Sequence, residues 1–148
     1  MEHGATTPTI VAAFLHDIGH LLLGEDDGER DFLADDLHHE DVGARFLANW
    51  FGPEVTEPIR HHVPAKRYLC AVEPEYHATL SAASTRSLEV QGGPMSDDEV
   101  AEFETQPGWA EAVELRRWDD DAKVSGAGTP SLGTFATLIE SVARVAVD

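Results

Sequence analysis

A histidine–aspartate pair lies inside an apolar stretch near the start of the sequence. His16 and Asp17 follow the run IVAAFL and precede another isoleucine, in a segment with helical character. A buried carboxylate is costly unless a cation, a metal or a hydrogen-bond network compensates it, so Asp17 needs a partner. Neighbouring side chains on a helix point about 100° apart, so both reach one site only if it lies between their directions. A carboxylate can also bridge two metals, whereas the pair alone is equally consistent with an ionic brace in the core.

Three further residues place nitrogen and oxygen donors on helix faces that should point inward. His39 lies on the apolar stripe of its predicted helix together with Gly43, which would let another backbone approach closely. His62 shares a face with Ile59, and Asp119 lies on the inward face of a later helix. Each residue alone is also explained as a satisfied polar group in the core. Together, imidazoles and carboxylates from four helices are how bundles build metal sites, and these donors suit iron, manganese or catalytic zinc.

Two basic residues accompany these donors. Lys66 lies one turn after His62, and Arg116 lies one turn before Asp119. Arginine offers a fork to two oxygens of an anionic group and lysine offers a point charge, so both are candidates for binding an anionic substrate. The alternative is that the two cations only neutralise Asp17, Asp119 and their neighbours.

The composition narrows the range of partners. The chain of 148 residues carries 28 acidic residues against 10 lysines and arginines, a net charge of −18 that repels nucleic acid and anionic membranes. One cysteine, Cys70, excludes an internal disulfide and a thiolate cluster, so a metal must be held by carboxylates and the 8 histidines. No apolar run approaches the roughly 18–20 residues of a membrane span, and no leader is visible. We therefore expect a cytoplasmic protein.

Helical periodicity and capping residues predict an all-α bundle of about six to seven helices, which forms a single domain over residues 1–148. The acidic stretch 25–36 is predicted to be a loop, and so is the stretch 82–95, which carries Ser84 and Gln91. Ser96 and Glu99 have the spacing of a capping box. The predicted helices cover residues 7 or 8 to 23, 38–51, 54–70, 74–81, a segment that starts after 96, 109–124 and 132–147.

Five motifs between positions 11 and 123 resemble a known family. HDIGH, HHEDVGARFL, HHVPAKRYL, QGGPM and LRRWDDDAK occur in the order seen in the HD-domain superfamily. They look most like its di-iron oxygenase branch, which acts on organophosphonates. The resemblance implies two irons, dioxygen, and cleavage of the carbon–phosphorus bond of a 1-hydroxyphosphonate, which yields phosphate and a carboxylic acid.

The resemblance also implies roles for individual residues. His16 and Asp17 would be iron ligands, and Asp17 would bridge the irons. His39 and His62 would complete the substrate-binding iron, and Asp119 would belong to the other. His39 is chosen over its neighbour by the Gly-Ala pair that follows, and His62 by the lysine four residues later. The residues that would line the phosphonate pocket are His20, Lys66, Ser84, Gln91 and Arg116, of which His20 and Lys66 are also catalytic candidates.

The sequence departs from the family at its beginning. The family has a further iron-ligand histidine on a helix before the HD helix, and this sequence starts too late for it. His3 is not a replacement, because no apolar periodicity surrounds it. The expectation is an N-terminally truncated bundle that lacks the first ligand helix. A start further upstream, a single metal, or a covering partner chain are the alternatives, and an exposed apolar face should favour self-association.

Two rival functions remain at this point. An HD-type metal-dependent phosphohydrolase would use the metal to activate water against a phosphate ester. An inactive, truncated HD domain would bind little or no metal.

Overall fold

A computed structural model describes residues 5–24, 38–122 and 131–144 of the chain. These residues form nine helical segments and no strand, so the predicted all-α class is confirmed, although the number of segments is larger than predicted. None of the helices in these ranges is long and apolar enough to span a bilayer. The predicted acidic loop at 25–36 lies outside the described residues.

The nine helical segments of the described residues are α1 (Thr7–Leu15), α2 (Ile18–Leu22), α3 (His39–Leu47), α4 (Pro53–Val72), α5 (Pro74–Thr79), α6 (Ala82–Val90), α7 (Asp97–Phe103), α8 (Trp109–Ala122) and α9 (Leu132–Val142).

Helix α4 is the axis of the bundle. It is 20 residues long, and α1, α3, α5, α7 and α8 all pack against it. Burial of apolar side chains holds these helices together, at a gain of about 25 cal/mol for each Å² removed from water. The main core cluster lies between α1, α3, α4 and α8 and consists of Val11, Ala12, Ala44, Leu47, Phe51, Val55, Ile59 and Leu115. A second cluster contains Cys70, which is buried as a packing residue.

The predicted first helix is broken, and this corrects its sequence interpretation. Helix α1 ends at Leu15, His16 is its C-cap, and Asp17 precedes α2 with φ −92° and ψ 6°. The break lets α2 turn onto α3, where Gly19 meets the carbonyl group of His39. A Cβ atom on Gly19 would lie 1.9 Å from that carbonyl oxygen. The pair His16–Asp17 therefore sits at a corner rather than within a continuous helix.

Gly43 lies on the other side of the same helix crossing. An added Cβ atom there would lie 3.3 Å from the backbone nitrogen of Gly19 and 3.3 Å from the side chain of Ile18. The predicted close approach of another backbone to Gly43 is confirmed. Two glycines that face each other thus bring the HD corner against the start of α3.

The prediction of a loop at 82–95 is wrong over most of that stretch, because residues 82–90 form helix α6. Ser81 caps α6 by accepting a hydrogen bond from the backbone of Ser84, and Leu88 anchors the helix in the core. Ser84 is therefore in the first turn of a helix, and Gln91 is the C-cap. The capping box of Ser96 is confirmed, because both of its hydrogen bonds form. Helix α9 ends at Val142 rather than at 147.

Several large apolar side chains are exposed on α1, α2 and α3. Leu21 is 65% exposed, and Phe46 of α3 packs edge to face with Trp50, which follows the end of that helix. Phe14 of α1 stacks on Phe135 of α9 with a centroid separation of 4.2 Å. The expected tendency to self-associate stays a prediction.

Candidate metal centre

The carboxylate of Asp17 lies between two sets of donor atoms. Its Oδ2 atom is 3.2 Å from Nε2 of His16. Its Oδ1 atom is 3.7 Å from Nε2 of His39 and 3.9 Å from Nε2 of His62. The Asp17 side chain is 57% exposed, so the expectation of a buried carboxylate was wrong, because the residue projects from the corner between α1 and α2. One oxygen faces each set, which is the arrangement of a bridging ligand.

Asp119 completes the set around His16. Its Oδ1 atom is 3.6 Å from Nε2 of His16, and its Oδ2 atom is 3.2 Å from Nη1 of Arg116. We call His16, Asp17, His39, His62 and Asp119 the histidine–aspartate centre. Four parts of the fold supply it: the α1–α2 corner, α3, α4 and α8. Side chains as far apart in the sequence as His16 and Asp119 therefore converge at one place.

Each imidazole of the centre turns its Nδ1 atom toward an oxygen. Nδ1 lies 2.7 Å from the carbonyl oxygen of Ala13 in His16 and 2.7 Å from that of Ile59 in His62. In His39 it lies 3.6 Å from a carboxylate oxygen of the buried Glu40. A carbonyl oxygen can only accept, so Nδ1 of His16 and of His62 carries a proton, and the Nε2 atom of each ring faces the centre.

The Nε2 atoms then require a cation. Those of His39 and His62 are 3.2 Å apart, and two lone pairs at that distance repel each other unless a proton or a metal lies between them. Nε2 of His16 is buried and faces carboxylate oxygens of Asp17 at 3.2 Å and of Asp119 at 3.6 Å. The donor set of imidazole nitrogens and carboxylate oxygens therefore fits one or two metal ions.

Two overlapping groups of three residues have donor atoms within 4.8 Å of one another: His16, Asp17 and His62, and Asp17, His20 and His39. Asp17 belongs to both. Distance alone does not divide the histidines between two metals, but the short separation of the His39 and His62 nitrogens favours the expected pairing of these two. His20 stacks on the ring of His39 at 3.7 Å and reaches Oδ1 of Asp17 at 3.8 Å.

The electrostatics of the centre leave His62 and Asp17 ready to bind a metal, whereas His16 would first lose a proton. Burial, together with the nearby imidazoles of His16 and His39, lowers the pKa of His62 to about 3, so His62 is neutral. Partial desolvation opposes ionisation of Asp17, although its side chain is more than half exposed, but hydrogen bonding and charge from the imidazoles outweigh this effect and lower its pKa to about 2. Burial also disfavours charge on His16, but Asp119 and Asp17 raise its pKa to about 10. Without metal, a protonated His16 therefore pairs with the carboxylates of Asp17 and Asp119.

The neighbouring histidines point elsewhere. His38 lies before α3 and is largely exposed, and its Nδ1 faces Glu40 at 3.5 Å. Nε2 of His61 lies 3.4 Å from a carboxylate oxygen of Glu57. The structure thus turns His39 and His62, rather than these two, toward Asp17.

The expected pocket residues are spread over α2, α4, α6 and α8. Lys66 is only 3% exposed, and its Nζ atom donates a hydrogen bond of 2.7 Å to Oγ of Ser87. Sequence reasoning missed Ser87, because it proposed a loop with Ser84. The hydroxyl of Ser84 instead lies 3.1 Å from that of Ser81.

Gln91 lines a cavity of about 350 Å³, and its Oε1 atom is buried without a hydrogen bond in the described structure. The expected fork of Arg116 turns its Nε and Nη2 edge to Asp120, which sequence reasoning also missed.

The chain is similar in sequence to a known family and to known proteins. Residues 3–92 match the family model of the HD domain. The chain belongs to the HD-domain family. This HD domain is 57% identical over 137 residues to hydroxymethylphosphonate dioxygenase of Gimesia maris. The aligned residues are 93% of the chain and 68% of the relative. It is 41% identical over 144 residues to the glycine-betaine-forming [1-hydroxy-2-(trimethylamino)ethyl]phosphonate dioxygenase of Leisingera caerulea, with 94% and 70% covered.

An uncharacterized protein of Acanthamoeba polyphaga mimivirus is 35% identical over 139 residues, with 93% of the chain and 64% of the relative covered. Two of these three similar proteins are phosphonate dioxygenases, so the expected oxygenase branch of the HD-domain family is confirmed.

Proposed function

We propose that this HD domain is an iron-dependent oxygenase that cleaves the carbon–phosphorus bond of a 1-hydroxyphosphonate. One substrate molecule, R–CH(OH)–PO₃H₂, and one O₂ would give R–COOH and H₃PO₄, which balances in every atom. Two of the three relatives named above act on substrates of this class according to their names. Both of these substrates carry a hydroxyl group on the carbon that bears phosphorus, so the shared chemistry lies at that carbon.

One observation carries the proposal: the two oxygens of Asp17 face different sets of donors. A first iron would be held by His16, Asp17 and Asp119, and a second by Asp17, His39 and His62. Nitrogen and oxygen donors without thiolate suit iron. The irons would supply the redox chemistry with dioxygen that amino-acid side chains lack.

The side chains would bind and orient the substrate. Lys66 is a buried lysine beside the centre, and a phosphonate next to its Nζ atom would gain a charge-assisted hydrogen bond. Ser87 lies at the same nitrogen and would offer its hydroxyl. His20 lies at the edge of the centre, beside Asp17 and His39, where it would contact the substrate or move a proton. Gln91 and Ser84 stay candidates for the remaining contacts.

Oxygen dependence tests the proposal. The chain is loaded with Fe(II) without air and mixed with hydroxymethylphosphonate, either in air or without oxygen. We expect phosphate, formate and consumed O₂ in a 1:1:1 ratio in air, and no phosphate without oxygen. Asp17→Asn serves as the inactive control. Phosphate release from a phosphate ester without oxygen would instead favour the phosphohydrolase reading, and absence of bound metal would favour the inactive domain.

A further inference from the structure

A buried hydrogen-bond network lies behind Asp119. We propose that Tyr76 and Asp120 are positioning residues, which hold the Asp119 carboxylate toward its metal. They act through Arg116, whose guanidinium they clamp. The inference rests on the proposed function only in that Asp119 is a metal ligand.

The clamp closes on one edge of Arg116. Nη2 donates to Oδ1 of Asp120 at 2.6 Å, and Nε lies 3.2 Å from Oδ2 of the same carboxylate. The hydroxyl of Tyr76 donates to that Oδ2 atom at 2.5 Å and accepts from Nε at 3.1 Å. Arg116 and Tyr76 are both buried. A two-pronged arginine–carboxylate pair is among the strongest hydrogen-bond arrangements, and the tyrosine closes it into a ring.

The remaining corner of the guanidinium reaches the metal centre. Nη1 of Arg116 lies 3.2 Å from Oδ2 of Asp119, and Oδ1 of Asp119 lies 3.6 Å from Nε2 of His16. Because the guanidinium is planar and rigid, fixing its Nε–Nη2 edge also fixes the direction of Nη1. One oxygen of Asp119 is therefore held by the arginine, and the other is aimed at the ligand set of His16.

The network links elements that are distant in the sequence. Tyr76 belongs to α5 and is 40 residues from Arg116, whereas the two aspartates follow the arginine on α8. The position of α5 is thereby transmitted to a ligand on α8. By contrast, Arg117 on the same helix pairs with Glu73 at the surface, where an ion pair contributes little to stability.

Tyr76→Phe tests the proposal with little disturbance, because it removes one hydroxyl and keeps the ring in the core. Tyr68→Phe is the matched control, since the Tyr68 hydroxyl donates to Glu104 at the surface. Fe(II) is titrated without oxygen, and Co(II) is titrated as a second probe whose visible absorption reports ligand geometry. Both titrations are made at a temperature at which circular dichroism shows every variant folded.

We expect Tyr76→Phe to weaken one of the metal sites by about 10- to 100-fold, as is typical for residues that orient a ligand. The Co(II) spectrum should change as well, whereas Tyr68→Phe should match the wild type in both. Asp120→Asn should lose more affinity, because it also removes the charge opposite the guanidinium. If Asp120→Asn does not fold, Tyr76→Phe alone decides.

Wild-type affinity and an unchanged Co(II) spectrum in Tyr76→Phe would overturn the inference, even if its melting temperature falls. That result would leave the proposed function standing, provided that Asp119→Asn still loses metal. A wild-type chain that binds neither Fe(II) nor Co(II) would refute the proposed function itself. Failure of the positioning role and failure of the proposed function are thus distinguishable.

Discussion

Gly19→Ala should damage both the stability of the fold and the metal centre. The new Cβ atom would lie 1.9 Å from the carbonyl oxygen of His39 and 2.6 Å from its carbonyl carbon. These are backbone atoms, so no rotamer change relieves the overlap. Carbon and oxygen need more than 3 Å, so α2 or the first turn of α3 must shift by about 1 Å or more.

The cost follows from that shift. Overpacking of this kind costs about 3 kcal/mol, against a total stability of roughly 5–15 kcal/mol for a domain. For a chain of this size the melting temperature should fall by about 6–12 °C. The same shift displaces His39, whose Nε2 atom faces Asp17, so metal affinity should fall together with stability.

Gly43→Ala is the matched control on the other side of the crossing. Its Cβ atom would meet its neighbours at 3.3 Å, which demands a movement of only a few tenths of an ångström. The better helix propensity of alanine, about 1 kcal/mol over glycine, offsets much of that cost. Chemical unfolding and Fe(II) titration of both variants measure the difference. Equal stabilities and equal metal affinities for the two variants would refute the role assigned to the Gly19 contact.

Three further predictions concern the centre and its surroundings. His62→Gln should lose metal by at least about 100-fold, whereas His61→Gln next to it should bind as the wild type; equal losses would contradict the assigned orientation. Because a metal ligand must be unprotonated and the pKa of His16 is raised to about 10, metal binding near pH 7.5 should release about one proton, and affinity should rise with pH until about pH 10. Without metal the same proton stabilises the fold fully below pH 6.5, and this stabilisation is lost as the pH rises through 10. Calorimetry in buffers of different ionisation enthalpy measures the proton, and its absence would refute the assignment. Lys66→Met removes the ammonium group and keeps an apolar chain of similar length, so it should raise the KM for the phosphonate at least about tenfold; an unchanged KM would show that Lys66 serves the core through its hydrogen bond to Ser87.

The sequence predicted the helices that carry the candidate donors better than the contacts that orient these donors. Periodicity placed the helices of His39, His62 and Asp119, because apolar stripes determine which face of a helix is buried. It did not reveal the corner at Asp17, since the local residues IVAAFLHDIGH favour a helix throughout and the turn depends on packing against α3. Nor did it reveal α6, whose small polar residues lack a strong apolar stripe.

The partners of the arginine were beyond sequence reasoning for another reason. Tyr76 and Arg116 meet only through the fold, and no spacing relates them. Glu40 was closer to detection, because it directly follows His39 and a carboxylate beside a ligand imidazole is a common orienting group.

The corner between α1 and α2 has a consequence for how the protein would acquire and lose a metal ion. Since the Asp17 carboxylate is more than half exposed, an ion would reach it without any helix opening first. The rate of metal binding should therefore be limited by loss of water from the ion and of the proton from His16, rather than by unfolding. A chelator in the surrounding medium should then be able to strip an otherwise intact, folded chain.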